Sequence, residues 1–330
     1  MKKLFLLPCF LVCLIGFCYG ADVAYKFTIL DLPIEYQGRP DILRLVDRNN
    51  KGEMIGVHYF GASYYLSNNR KRPVQLDCGG DTTIVSAINN ASQIVGTCSG
   101  PTESNGFVHD LRTGSYTLIR YPGSDGTVAL GINDLGHVVG QYWGFAFGCC
   151  IDRFHAFIWK DGVYSTVDAP DPDQMGGSLF AINKQGQAIG DYFHHVGLDP
   201  NEYDTVIPFL YDNGSFSILD FPGGQSPSPC CEGDTFPYDI NNLTQIVGAS
   251  YDSAGTLILF LFDDDRYFKI TGLPENFLLN GVGINDKSEI AGSYFERVPC
   301  ATCGLFGEPG YKYILHSFIA VPAPVKVVRR

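Results

Sequence analysis

The sequence predicts an all-β protein, a six-bladed β-propeller closed by an N-terminal strand that completes the last blade. Three observations lead there. A twelve-residue motif recurs six times along the 330 residues. Two further strand-like stretches follow each clear copy. The last copy lacks the second of these, and a near duplicate of it stands at the other end of the chain.

The motif is clearest as GINDLGHVVGQY, residues 131–142. It returns as AINNASQIVGTC from Ala87, AINKQGQAIGDY from Ala181, DINNLTQIVGAS from Asp239 and GINDKSEIAGSY from Gly283. A weaker copy, DRNNKGEMIGVH, begins at Asp47. The closing glycines are Gly56, Gly96, Gly140, Gly190, Gly248 and Gly292, a spacing that suits propeller blades. In each copy β-prone residues flank an Asn-containing core. Asn and Asp bond to nearby amides and tolerate left-handed backbone, so the copy reads as strand, tight turn, strand. A calcium loop needs oxygen ligands at fixed positions, yet the place of Asp134 is taken by Asn90, Lys184, Asn242 and Asp286. A phosphate loop would need a helix after the glycines, and none is signalled.

The third stretch reads GFVHD (106–110), HAFIW (155–159), PFLYD (208–212), LFLFD (259–263) and HSFIA (316–320). The fourth reads SYTLIRYP (115–122), VYSTVDAP (163–170), SFSILDFP (215–222) and YFKITGLP (267–274). After HSFIA there is no fourth stretch, but FTILDLP at 27–33 nearly repeats FSILDFP at 216–222. A strand over 25–32 is therefore expected beside 314–320, sealing the ring and removing exposed sheet edges.

Composition agrees with one large β domain: 45% hydrophobic residues, 38 glycines and 18% charged residues. The net charge of −12, without a concentrated basic face, argues against nucleic acid and anionic membranes as partners. Residues 1–20 carry Lys2-Lys3, an apolar run over 4–17 and a small-residue site at Gly20-Ala21, the pattern of a signal peptide. The expected organisation is a signal peptide over 1–20, one propeller domain over 21–321 and a short tail over 322–330. The protein is expected to be secreted, extracellular or periplasmic, and monomeric.

Ile132-Asn133-Asp134 with Gly136 and Val139-Gly140, followed by His155-Ala156-Phe157-Ile158-Trp159, resembles the HAF-type extracellular repeat family of bacteria. The resemblance covers nearly the whole mature chain, strongly over 83–320 and weakly over 41–80. It implies a secreted, propeller-like repeat protein and carries no catalytic residues with it. Many members end in a sorting tail with an apolar helix, whereas this chain ends VPAPVKVVRR.

If strands alternate in direction within a blade, the motif turns share one end of the ring with the short third–fourth turns. The larger insertions, 144–153, 169–177, 194–206, 222–234 and 296–311, then share the other. Function concentrates on long loops held by a rigid scaffold. Eight cysteines remain after processing: Cys78, Cys98, Cys149, Cys150, Cys230, Cys231, Cys300 and Cys303. All map to the long-loop end or its rim, and an even count in an exported chain points to disulfides that staple loops. A soft-metal site would want a second CxxC beside Cys300-x-x-Cys303, so no metal and no cofactor is expected.

The expected role is a non-catalytic binding or scaffold propeller whose long-loop face takes a protein or glycan. Trp143, Tyr192, His194, His195 and Tyr203 are the candidate ligand-binding residues, because aromatic rings and imidazoles on long loops suit stacking and hydrogen bonding. The alternative is a carbohydrate-active enzyme with paired carboxylates on that face, Glu202 with Glu296 or Asp191 with Glu232. No nucleophile elbow or Ser-His-Asp signature supports catalysis.

Overall fold

The computed structural model describes residues 22–30, 32–36, 39–58, 61–68, 73–146, 150–171, 174–194, 205–222, 235–252, 254–273, 277–300 and 310–323. Among them the chain is all β. Strand β1 (Val23–Leu30) precedes a small hairpin of β2 (Pro33–Tyr36) and β3 (Arg39–Ile42). Four-stranded antiparallel units follow. The first is β4 (Arg44–Arg48), β5 (Met54–Val57), β6 (Ser63–Leu66) and β7 (Val74–Leu76). The next is β8 (Thr82–Ile88), β9 (Gln93–Ser99), β10 (Ser104–Asp110) and β11 (Ser115–Ile119). Then come β12 (Gly126–Ile132), β13 (Val138–Ala146), β14 (Cys150–Lys160) and β15 (Val163–Thr166). Strands β16 (Gln174–Ile182), β17 (Ala188–His194), β18 (Thr205–Asp212) and β19 (Ser215–Ile218) repeat the pattern. So do β20 (Thr235–Ile240), β21 (Ile246–Tyr251), β22 (Leu257–Asp263) and β23 (Arg266–Thr271). The last three strands are β24 (Phe277–Ile284), β25 (Ile290–Cys300) and β26 (Gly310–Pro322).

Strand β1 lies antiparallel beside β26, with Tyr25 opposite Pro322 and Leu30 opposite Ser317. The first strands of successive units touch in turn, and β24 lies against β4. That junction is tied by serines: Ser293 donates to the Leu45 carbonyl (2.9 Å), and Ser317 donates to that of Leu43 (2.8 Å). Arg48 also forms an ion pair with Glu289 across it.

Each motif builds the same corner. Asn133 Oδ1 accepts the backbone N–H groups of Leu135 and His137, both at 3.0 Å, while Gly136 takes a φ of 80°. The corresponding positions Ser92, Thr244 and Ser288 hold left-handed backbone without glycine, at φ of 63°, 66° and 55°. The amide of five of the six motif asparagines then reaches the next unit, while that of Asn183 bonds to Gln187 in its own turn. Asn49 donates to the Asn89 carbonyl (2.9 Å), Asn89 to Asn133 (2.8 Å), Asn133 to Asn183 (2.9 Å) and Asn241 to Asn285 (3.0 Å). Asn285 donates back to Asn49 at 3.4 Å. The following column adds a second series. The N–H groups of Asn50, Asn90, Lys184, Asn242 and Asp286 donate to side-chain oxygens of Asn90, Asp134, Asn242, Asp286 and Asn50. Such bonds contribute about 1 kcal/mol each. The variable place in the motif is thus an acceptor column, interrupted by Lys184, rather than a metal loop.

The closing glycines answer to a bulge. In every unit the first strand skips a residue in its pairing: Val46, Ser86, Leu130, Phe180 and Tyr238 have no partner on the neighbouring strand, and in β24 the slip falls between Leu279 and Val282. A Cβ on Gly56, Gly96, Gly140, Gly190, Gly248 or Gly292 would collide with a carbonyl beside that bulge, from Arg44, Ile84, Val128, Ser178, Phe236 or Gly281. Across the ladder the same glycines face Tyr64, Phe107, Phe157, Phe209, Phe260 and Phe318, all buried. The aromatic ring fills the space the missing side chain leaves, and burying each contributes about 2 kcal/mol.

Two of the expected long loops are in part hairpin arms. Strands β13 and β14 stay paired out to Ala146 opposite Cys150, and β25 with β26 out to Cys300 opposite Gly310. The pairing register continues beyond the unit, with the backbone of Phe145 opposite Ile151 and that of Arg297 opposite Tyr313.

Candidate functional site

The skipped residues share a second property: they face one cavity. It lies between the first strands, at the end opposite the motif turns, with a volume of about 370 Å³. Val46, Ser86, Leu130, Phe180, Tyr238 and Gly281 all line it. A bulge releases its extra residue from the sheet's alternation and re-aims the side chain, here toward the axis. Below them Asp47, Ala87, Ala181 and Asp239 also line a smaller cavity of about 60 Å³ on the turn side, together with Gly131. These residues open the motif copies and form a collar between the two spaces.

Two collar residues are charged in kind. Asp47 accepts the N–H groups of Arg48 and, in the next unit, Ile88 (2.9 Å). Asp239 accepts those of Ile240 (2.8 Å) and Ile284 (2.7 Å). Burial raises the pKa of both carboxyls, and the Asp47 charge raises Asp239 further. The pair therefore retains a proton at pH values where surface carboxylates have lost theirs. Its oxygens are engaged by backbone amides, which makes it an inter-unit tie.

Asp191 is different. It stands on β17 and lines the larger cavity, and its side chain has no hydrogen bond or ion pair among the described residues. Burial alone pushes its carboxyl up to about 7. Arg44 lines the same cavity, and burial lowers its pKa. Leu130, Phe180, Val206, Phe236, Pro237 and Val282 supply most of the wall.

Of the sequence-derived candidates Asp191 thus lines the cavity, whereas Trp143, Tyr192, His194 and Glu296 lie elsewhere. Trp143 packs edge-on against Phe154 (5.7 Å between centroids) and covers Gly126. Tyr192 packs on Phe209 at 6.0 Å within the hydrophobic core. His194 Nδ1 sits 2.7 Å from Asp171. None of these three lines the cavity. His195, Tyr203, Glu202 and Glu232 lie outside the described residues, although Val206, close beyond that stretch, reaches the cavity wall. Glu296 pairs with His316 (3.0 Å) where β25 passes beyond the unit. Cys78 and Cys98 form a disulfide between the stretch after β7 and the end of β9, and Cys300 is disulfide-bonded too. Cys149, Cys230, Cys231 and Cys303 lie outside the described residues, and Cys150 is described by its backbone alone. No group of three or more metal-ligating side chains occurs among the described residues.

No protein-family model matches the chain, and no curated protein matches it significantly. Solved structures align over most of its length. A gluconolactonase from Xanthomonas campestris is 13% identical, covering 90% of this chain and 89% of its own, with a TM-score of 0.48. A streptogramin B lyase is 12% identical over 91% of this chain and 98% of its own, again at 0.48. TolB from Acinetobacter baumannii is 12% identical over 85% of this chain and 63% of its own, also at 0.48. The strand pairing, rather than likenesses at that level, defines the fold.

Proposed function

We propose that this chain is a six-bladed β-propeller, closed by β1, that is secreted and binds a ligand without transforming it at the axial cavity of its long-loop end. The circuit of first strands from β4 to β24 and back supports six blades in one domain over 21–321, and β1 beside β26 supports the closure. The Cys78–Cys98 disulfide favours an oxidising compartment, in keeping with a signal peptide over 1–20 and with a place among the HAF-type extracellular repeat proteins. The observation that carries the binding role is the cavity itself: concave, mostly apolar and lined by a few polar groups. It admits a small molecule, or a sugar or side chain projecting from a larger glycan or protein partner. A hydrolytic role for carbohydrate calls for two available carboxylates. Among the described lining residues Asp47 and Asp239 are engaged with amides, which leaves Asp191 as the available carboxylate there and favours binding over catalysis. The long-loop residues Trp143, Tyr192, His194, His195 and Tyr203 stay as candidates for contacts outside the cavity with a larger partner. The protein acts as a monomer and uses no metal or cofactor in this role.

The test is a ligand screen, by glycan array and thermal shift, on the mature protein and two variants. Leu130→Trp should fill the cavity from a position that has no ladder partner, and should abolish binding without loss of fold. Leu135→Ala alters an exposed side chain on the motif-turn end and should leave binding intact. Binding that survives Leu130→Trp, or is lost in Leu135→Ala, would place the ligand elsewhere.

A further inference from the structure

Asp191 occupies a column where other units make ties. The residue after the closing glycine is Gln141 in one unit, bonded to Ser178 of the next, and Ser293 in another, bonded to Leu45. At the same place Asp191 makes no such bond and turns its carboxylate to a cavity walled by Leu130, Phe180, Val206 and Phe236. A carboxylate in apolar surroundings gains far more from a counter-charge than one in water, because the local dielectric is low.

We propose that the axial cavity takes a compact, largely apolar organic amine, with Asp191 as the counter-ion of its ammonium group. This rests on the cavity being the binding site. Several features fix the class of ligand. The wall area is mostly hydrocarbon and aromatic, so the ligand body is apolar. A bare metal ion would want several oxygen ligands, and among the described residues of the lining Asp191 is the one carboxylate not already given to backbone amides. An anion would have to face Asp191 as well as the collar pair Asp47 and Asp239, with Arg44 the sole cationic side chain among the described residues of the lining. Phe180 and Phe236 are among the lining residues, and the face of an aromatic ring attracts an ammonium group.

The experiment is calorimetric titration of the mature protein with phenethylamine, phenethyl alcohol and hydrocinnamate, repeated on Asp191→Asn. These probes share a body and differ in the charge of the head. The intact protein should bind the amine about tenfold or more tightly than the alcohol, and the carboxylate least. Asp191→Asn should bring amine and alcohol to equal affinity while leaving the alcohol's own affinity unchanged. Equal affinity for amine and alcohol in the intact protein would overturn the amine assignment and leave the cavity as the site, as would a preference that persists in Asp191→Asn. Binding of none of the three at millimolar concentration would overturn both readings.

Discussion

Replacing Asp191 with Asn should stabilise the protein above neutral pH and leave it nearly unchanged in acid. In the folded state the carboxyl is raised from 3.8 to about 7 by burial, whereas in the unfolded chain it returns to the ordinary range. Below the unfolded value both states hold the proton and burial carries no electrostatic cost. Between the two values the unfolded chain has lost its proton while the folded one keeps it, so stability falls as pH rises. Above about 7 both are ionised and the full cost is present, about 4 kcal/mol at 1.36 kcal/mol per pH unit. Asn has nearly the same shape and cannot ionise, so the variant escapes that cost. Urea unfolding at about pH 4 and about pH 8 measures the difference between variant and parent. Asp47 and Asp239 titrate in the same direction but are common to both proteins, so they cancel. The gain should appear only at the higher pH and reach several kcal/mol. A gain of equal size at both values, or none, would refute the claim that this carboxylate is held against its solvation. A positive result would also mean that loss of amine binding in Asp191→Asn cannot be assigned to a weakened fold.

Other substitutions test the repeat itself. Asn133→Ala removes two turn bonds and the bond to the Asn183 carbonyl, and should lower stability by about 3 kcal/mol, read as a shifted urea midpoint at constant slope. Gly140→Ala places a methyl group against the Val128 carbonyl and should cost about 2–3 kcal/mol or prevent folding. Gly144→Ala, whose nearest neighbour would be 3.7 Å away, should be nearly neutral by thermal melting. Deleting residues 22–30 uncovers β26 and takes Phe27 from Phe318, so melting should fall sharply; an unchanged melting temperature would count against closure by β1.

The strand order was legible because the hairpin chemistry is local. The motif Asn between β-prone runs specifies its own turn, and the displaced FTILDLP stretch pointed to a partner at the far end of the chain. It pairs through 25–30 with 317–322, a little further along than expected, because β26 continues to Pro322. The cavity was harder to read. Side chains such as Leu130 and Phe180 look like ordinary core residues until a bulge turns them to the axis, and a bulge has no marker of its own in the residues that form it. One trace was available: the first place of the motif holds Ala or Gly in four copies and Asp at Asp47 and Asp239. Two acids in a column otherwise kept small signal a buried, shared position. Aromatic residues beside the long insertions drew attention because of their chemistry; in the structure Tyr192 packs on Phe209 and Trp143 covers Gly126.

If the axial cavity binds as proposed, the bulge column also bears on how such a protein can change what it recognises. A side chain inside a sheet is constrained from both sides by its neighbours on the ladder, so altering it risks slipping the register. Val46, Ser86, Leu130, Phe180 and Tyr238 stand outside that constraint while remaining anchored on rigid strands. Their identities already range from a hydroxyl to an isobutyl group to aromatic rings. Hydrogen bonding and register belong to other columns of the repeat. The axial column works instead like a set of interchangeable inserts in a fixed frame, through which selectivity can drift one unit at a time while the frame keeps its stability.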